Sequence, residues 1–247
     1  MSNRAQIKDP KHFPILKPWG WEVEIWNSTH LSIIYLNIDN GKSTSFHCHP
    51  NKRTGYIVLR GEVEVEFLAG TKRYKAGERV NFRPSLFHRS TAITRDVVLL
   101  ELESPPNKND LVRLEDSNNR SDSVYEKTTM AVDELNQSIL QSLYESLNES
   151  TRSHQKIDSL GCSISVESAT PRQMLDKYDD QVIISPVSFP IYTERCLTGS
   201  RYEAIVQPGD VTTIRDLRRM SKVLEMKSSN SFFLVNFGAK NMAECTK

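Results

Sequence analysis

Cysteine is scarce in this chain of 247 residues: four are present, at positions 48, 162, 196 and 245, and none stands in CxxC spacing. Neither a disulfide framework nor a zinc ribbon is indicated. Long apolar runs are also missing. No stretch approaches the roughly 18–20 apolar residues that span a bilayer, and the mean hydropathy is −0.49. Residues 1–20 lack the continuous apolar segment of a secretory signal. An excess of one charge is absent too, since 32 basic and 31 acidic side chains leave a net charge of +1. That balance argues against a protein that grips nucleic acid by neutralising many phosphates. The expectation is a soluble, cytoplasmic globular protein with neither a membrane nor a nucleic-acid partner. Its length suits one large or two modest domains.

What is present from residue 19 to 103 reads as strand after strand. Apolar and polar residues alternate in Trp21–Asn27, and His30–Asp39 is a longer β-branched run. In Glu62–Phe67, Val63, Val65 and Phe67 share one face while Glu62, Glu64 and Glu66 share the other. Turn signals separate the runs at Asp39-Asn40-Gly41, Gly61, Ala69-Gly70-Thr71 and Ala76-Gly77-Glu78. A last strand, Asp96–Glu103, stops at Pro105-Pro106. Many short strands without intervening helix predict a β-sandwich or barrel. After a polar boundary, Val132, Leu135, Ile139, Leu143 and Leu147 recur at helical spacing, predicting an amphipathic helix from Ala131 to about Leu147. Thr129 or the Asp133-Glu134 pair suits its first turn. Residues 159–247 predict strands at Ser163–Val166, Gln181–Ser185, Tyr202–Val206 and Ser231–Phe237, with helices at Pro171–Tyr178 and Thr213–Met226. No internal repeat is evident. The expected organisation is a barrel domain over 1–127, a helix and linker over 128–158, and a small α+β domain over 159–247.

Chemistry concentrates in Gly41-Lys42-Ser43-Thr44-Ser45-Phe46-His47-Cys48-His49. Histidines at i and i+2 on a strand project from one face and can bind one ion together. Cys48 between them points to the other side. A third imidazole is available at His88. Three protein ligands with an open position are the arrangement of a catalytic metal. His12, His30 and His154 read as surface or core histidines.

These residues carry a resemblance. Gly41-x5-His47-x-His49 with Gly61 resembles the first cupin motif, and Gly77 with His88 eleven residues later resembles the second. Lys17-Pro18-Trp19-Gly20-Trp21-Glu22 is similar to the opening of mannose-6-phosphate isomerase-like cupins, Phe87-His88-Arg89 to their Pro-His-Arg, and Leu111–Asp116 to the exit segment of sugar-modifying cupins. The likeness spans residues 14 to about 120. It implies a mainly β chain: a jelly-roll barrel in the N-terminal half, then a helix and a smaller α+β domain. It further implies a homodimer and a small sugar substrate. A divalent ion (Zn, Mn, Fe, Co or Ni) would be bound by His47, His49 and His88.

The sequence departs from the motif where a glutamate ligand is usual, because Thr54 occupies that position. Arg83 and Ser85 replace the proline and glycine of the second motif. Three readings follow: a three-histidine metal site serving aldose–ketose isomerisation of a sugar phosphate, a three-histidine Fe(II) dioxygenase, or a sugar-binding or assembly module that has lost its metal. Candidate bases are Glu64, Glu66 and Tyr56, the last also a candidate substrate contact, with the cavity-lining face of strand 62–67 left open. Arg89, Arg60, Lys52 and Arg53 are candidates for a phosphate, although Lys52 and Arg53 read more readily as a solvated rim. Trp19 and Trp21 could stack on a sugar or pack the barrel mouth. The segment Gln207–Leu217 resembles the turn of the SAF-type domain that ends sialic-acid synthases.

Overall fold

The computed structural model describes residues 13–115, 128–148, 155–193, 203–221, 226–227 and 230–237. The first half contains β1 (Ile15–Lys17), β2 (Gly20–Asn27), β3 (Ser32–Ile38), β4 (Phe46–Cys48), β5 (Arg53–Arg60), β6 (Glu62–Phe67), β7 (Gly70–Lys75), β8 (Arg79–Phe82), β9 (His88–Ala92), β10 (Val97–Ser104) and β11 (Val112–Glu115). They form two facing sheets, in the orders β1-β2-β3-β10-β5-β8 and β11-β4-β9-β6-β7. The mainly β reading holds.

Alternation decides which side chains enter the barrel. Ile34, Leu36, Ile38, Val58, Leu99, Val63, Val65 and Phe82 fill it, so the glutamates of β6 face outward. The outer face of the first sheet does not meet water. Val23, Ile25, Ile33, Tyr35, Ile57, Leu59, Val98, Leu100 and Leu102 there belong to one continuous core with the second half. For this reason β3 is buried at every residue and β10 at all but its last, and neither shows a one-sided polar pattern.

Helix α1 (Glu134–Asn148) supplies part of that core through Ile139, Leu140, Leu143 and Leu147. It starts later than the periodicity predicts. Asp133 is its cap, its carboxylate accepting from the Asn136 backbone N–H at 2.8 Å. Leu135 falls on the exposed side.

The second half continues with β12 (Gln155–Ile157), β13 (Cys162–Ala169), α2 (Pro171–Lys177), β14 (Ile183–Pro186), β15 (Ile191–Thr193), β16 (Glu203–Val206), β17 (Thr212–Thr213), α3 (Ile214–Ser221), β18 (Met226–Lys227) and β19 (Asn230–Asn236). Thr170 and Gln173 close a reciprocal capping box at the start of α2. The predicted helix over Thr213–Met226 is shorter than expected: α3 ends at Ser221, residues 222–225 lie outside the described residues, and Met226 is in a strand. Tyr202 also lies outside them.

The strand order reveals a repeat that the sequence conceals. The sheet β12-β13-β19-β14-β17 has the connectivity of β2-β3-β10-β5-β8, and β18-β15-β16 that of β9-β6-β7. Even the turns correspond. Glu78 N–H donates to Lys75 O at 2.8 Å while the Glu78 carboxylate accepts from Lys75 N–H. Asp210 N–H donates to Gln207 O at 2.9 Å while its carboxylate accepts from Gln207 N–H. Gly77 and Gly209 take φ of 85° and 87°, left-handed values that favour glycine. The segment that resembles a SAF-type turn is thus the counterpart of the Ala76-Gly77-Glu78 turn. In the second unit α2 stands between the counterparts of β3 and β5, where the first unit has β4 with His47 and, just after it, His49.

Candidate metal centre

His47 on β4 and His88 on β9 are cross-strand partners, and His49 follows one residue beyond β4. Their rings lie 4.6 to 5.9 Å apart between centroids, and a ligand nitrogen from each comes within 4.8 Å of the others. Each ring is fixed through Nδ1. His47 Nδ1 meets Ser45 O at 2.8 Å, His49 Nδ1 meets Asp110 O at 2.6 Å and His88 Nδ1 meets Leu86 O at 3.0 Å. A carbonyl can only accept, so each Nδ1 carries the proton and each Nε2 is left with its lone pair. The Nε2 atoms of His49 and His88 are buried and without a hydrogen-bond partner.

Burial keeps the triad neutral. It lowers His47 to about 3, helped by His49, and His49 to about 4, helped by Lys52. It drives His88 well below its ordinary range, helped by His47. Phe82 stacks on the His88 ring at 4.0 Å. Three buried, neutral imidazoles, two of them with an orphaned Nε2, are a donor set that a borderline divalent cation fits.

Two acidic residues that the pattern reading missed complete the site. Glu101 and Glu103 follow Val97 and Leu99 on the inner face of β10. Oxygens of both lie within 4.8 Å of each other and of a His49 nitrogen. Glu101 is raised to about 8 by burial and by the neighbouring Glu103 charge. Burial acts to raise Glu103 as well, but Lys108, Lys52 and His49 outweigh it and hold the group below its usual value. Lys52, read from sequence as a solvated rim residue, is 2% exposed and forms an ion pair with Glu103. Asp110 pins the turn that leads to it. Its carboxylate accepts from the backbone N–H groups of Asn51 and Lys52 at 3.0 and 2.8 Å.

These groups open into a cavity of about 80 Å³, whose wall includes Trp19, Tyr56, Lys17, Glu22 and Lys108. Trp19 and Tyr56 thus line this cavity, and Arg89 and Arg60 do not. Arg89 lies on the outer face of the second sheet, paired with Glu66 at 3.3 Å and Glu115 at 2.9 Å. Arg60, at the far end of β5, donates to Asp96 O at 3.1 Å. Glu64 also faces outward and pairs with Arg73 at 3.0 Å. Trp21 stacks on Tyr35 in the outer core, and Cys48 is buried outside the cavity wall. Arg53 turns to the second half, bonding Gln207 at 3.0 Å and approaching Asp210 at 3.5 Å. A larger hollow of about 500 Å³ lies between the halves. Its principal charges, Arg79 and Asp216, already neutralise each other.

No protein-family model matches the chain, and no curated protein matches it in sequence. Solved structures do match in part. KdgF from Halomonas sp. is 20% identical, with 42% of this chain and 95% of that one covered and a TM-score of 0.38. An RmlC-like cupin from Shewanella frigidimarina is 18% identical over 44% of this chain and 96% of that one, with a TM-score of 0.37. A sugar phosphate isomerase from a cupin superfamily, from Silicibacter pomeroyi, is 11% identical over 38% and 70%, with a TM-score of 0.35. Cupin proteins are thus among the structures to which part of this chain is similar.

Proposed function

We propose that the protein is a metal-dependent cupin enzyme of the mannose-6-phosphate isomerase-like kind, interconverting the aldose and ketose forms of a sugar phosphate. The observation that carries this reading is the convergence of three neutral imidazoles, with two carboxyl groups grouped about one of them, His49, beside one cavity. His47, His49 and His88 would hold a divalent ion, which supplies Lewis-acid polarisation of a carbonyl oxygen.

The chain's own residues account for the remaining requirements. Isomerisation moves a proton between adjacent carbons, and one carboxyl group on one face of the substrate can take it and return it. Glu101 is the residue for that role. It lines the cavity beside His49, and its buried setting lets it hold or release a proton near neutrality. Tyr56, its cross-strand partner, is kept protonated by burial and so serves as a donor to a sugar oxygen. Lys17 and Lys108, which share Glu22 at 3.7 and 3.8 Å, would be the cations offered to an anionic group, a task the sequence had offered to Arg89 and Arg60. About 80 Å³ holds the reacting end of an open-chain sugar, with the remainder of the molecule towards the mouth.

The test is proton exchange. Protein loaded in turn with Zn, Mn, Fe(II), Co or Ni is incubated in D2O with a panel of hexose and pentose phosphates. Deuterium at the carbon next to the carbonyl, together with the isomeric sugar, is expected; both should vanish on chelation and in Glu101→Gln. Absence of exchange with every metal and sugar overturns the reading. Oxygen uptake confined to the Fe(II) form would instead favour the dioxygenase.

A further inference from the structure

The first cupin-like motif lacks its usual acidic residue, yet the cavity does not lack a carboxylate. In the antiparallel pairing of β5 with β10, Thr54 stands directly opposite Glu103. As cross-strand partners both side chains project from the inner face of the sheet, Glu103 into the cavity wall, and both keep an unpartnered buried oxygen: Thr54 Oγ1 and Glu103 Oε2. The other oxygen of Glu103 is held by Lys52. An ion pair with one carboxylate oxygen satisfied and the other left bare in a nearly dry site is costly unless something else uses the bare oxygen. His49 joins two groups of candidate ligand atoms, one with His47 and His88 and the other with Glu101 and Glu103, the atoms of each group lying within 4.8 Å of one another.

We propose that Glu103 is the fourth protein ligand of the metal position, its carboxylate delivered from β10 instead of β5, with Lys52 orienting it. This rests on the reading that the histidine triad holds a divalent ion. Oε1 would stay on the Lys52 ammonium, leaving Oε2 for the ion. Three imidazoles alone leave the full charge of a divalent ion uncompensated in a buried site, and one carboxylate halves it. Lys52 then acts as the outer partner that fixes the angle of a ligating carboxylate. Glu101, two residues earlier on the same face, remains available to the substrate.

The experiment is a Co(II) titration of the full chain, followed by the visible absorption of the bound ion. Glu103→Gln alone would bury an unpaired ammonium, so the main variant is Glu103→Gln/Lys52→Met, with Lys52→Met as its control and circular dichroism to verify folding. The wild type should take up one equivalent. The double variant should bind at least roughly tenfold more weakly, the loss typical when the surroundings of a metal ligand are disturbed, with a changed spectrum. Lys52→Met should stay within a few-fold of the wild type. Adding Thr54→Glu to the double variant returns a carboxylate from β5 and should recover affinity. A folded double variant with wild-type affinity and spectrum overturns the assignment while leaving the triad intact. A wild type that binds no Co(II) overturns the metal reading and the assignment with it.

Discussion

Gly55 on β5 and Gly209 in the turn before β17 pack backbone to backbone. A Cβ at Gly55 would stand 2.5 Å from Gly209 O, and one at Gly209 would stand 2.9 Å from Arg53 O. Two hydrogen bonds flank the contact, from Asn81 Nδ2 to Val211 O and from Val211 N–H to Asn81 Oδ1. The strand that carries Thr54 inward is therefore braced from behind by the second half of the molecule.

Gly55→Ala forces two backbones apart, with no flexible side chain to yield. Overpacking of this kind costs about 1–3 kcal/mol. A lower Tm is expected, together with weaker metal uptake, because Thr54 and Glu103 shift with the strand. Unchanged values for both would show that the contact is looser than described.

Ser85 is informative in the opposite direction. It occupies the place of the motif's glycine and still takes the left-handed conformation, with φ of 64°. Its N–H donates to His49 O at 2.8 Å, so the conformation is tied to the site. Ser85→Gly should raise stability by about 0.5–1 kcal/mol without loss of metal binding. A decrease in Tm would contradict the strain assigned here.

The metal-free protein should be most stable near pH 6.5–7. Two opposed effects set this optimum. His47 and His49 titrate near 6.5 when unfolded, against about 3 and 4 when folded. Below about 6.5 the unfolded chain thus binds more protons, and stability falls by up to about 1.4 kcal/mol per pH unit for each such histidine. Glu101 works the other way. Its folded value of about 8 lies above the unfolded one, so its contribution falls as pH rises towards 8. Chemical denaturation across pH should give a steep acid limb and a shallower alkaline one. Glu101→Gln should flatten the alkaline limb and steepen the acid limb above about pH 4.5, where Glu101 opposes the histidines.

The triad was legible because HxH on a strand and a third histidine at motif spacing are local signals. The alternation of Glu62–Phe67 separated two faces and left open which one is inward; packing of Val63 and Val65 in the barrel decides it. Glu101 and Glu103 escaped notice for a physical reason. β10 is buried on both faces, so its sequence does not alternate cleanly, and the pattern assigns no facing to the acidic residues at its end. The available signal was two acids at i and i+2 within an otherwise apolar strand, which only a polar cavity can accommodate. Lys52 was misread for the same cause, since its partner was unseen. The second unit was hidden because its strands are short and two helices interrupt the pattern. Strand pairing, not periodicity, exposes the duplication.

The most direct test is elemental analysis of the purified protein beside its His47→Ala/His88→Ala variant, both shown to be folded. About one equivalent of a divalent transition metal in the wild type, absent from the variant, is the expected result. No metal in either protein, even after incubation with Zn, Mn, Fe(II), Co and Ni, would contradict the assignment of His47, His49 and His88 as a metal centre.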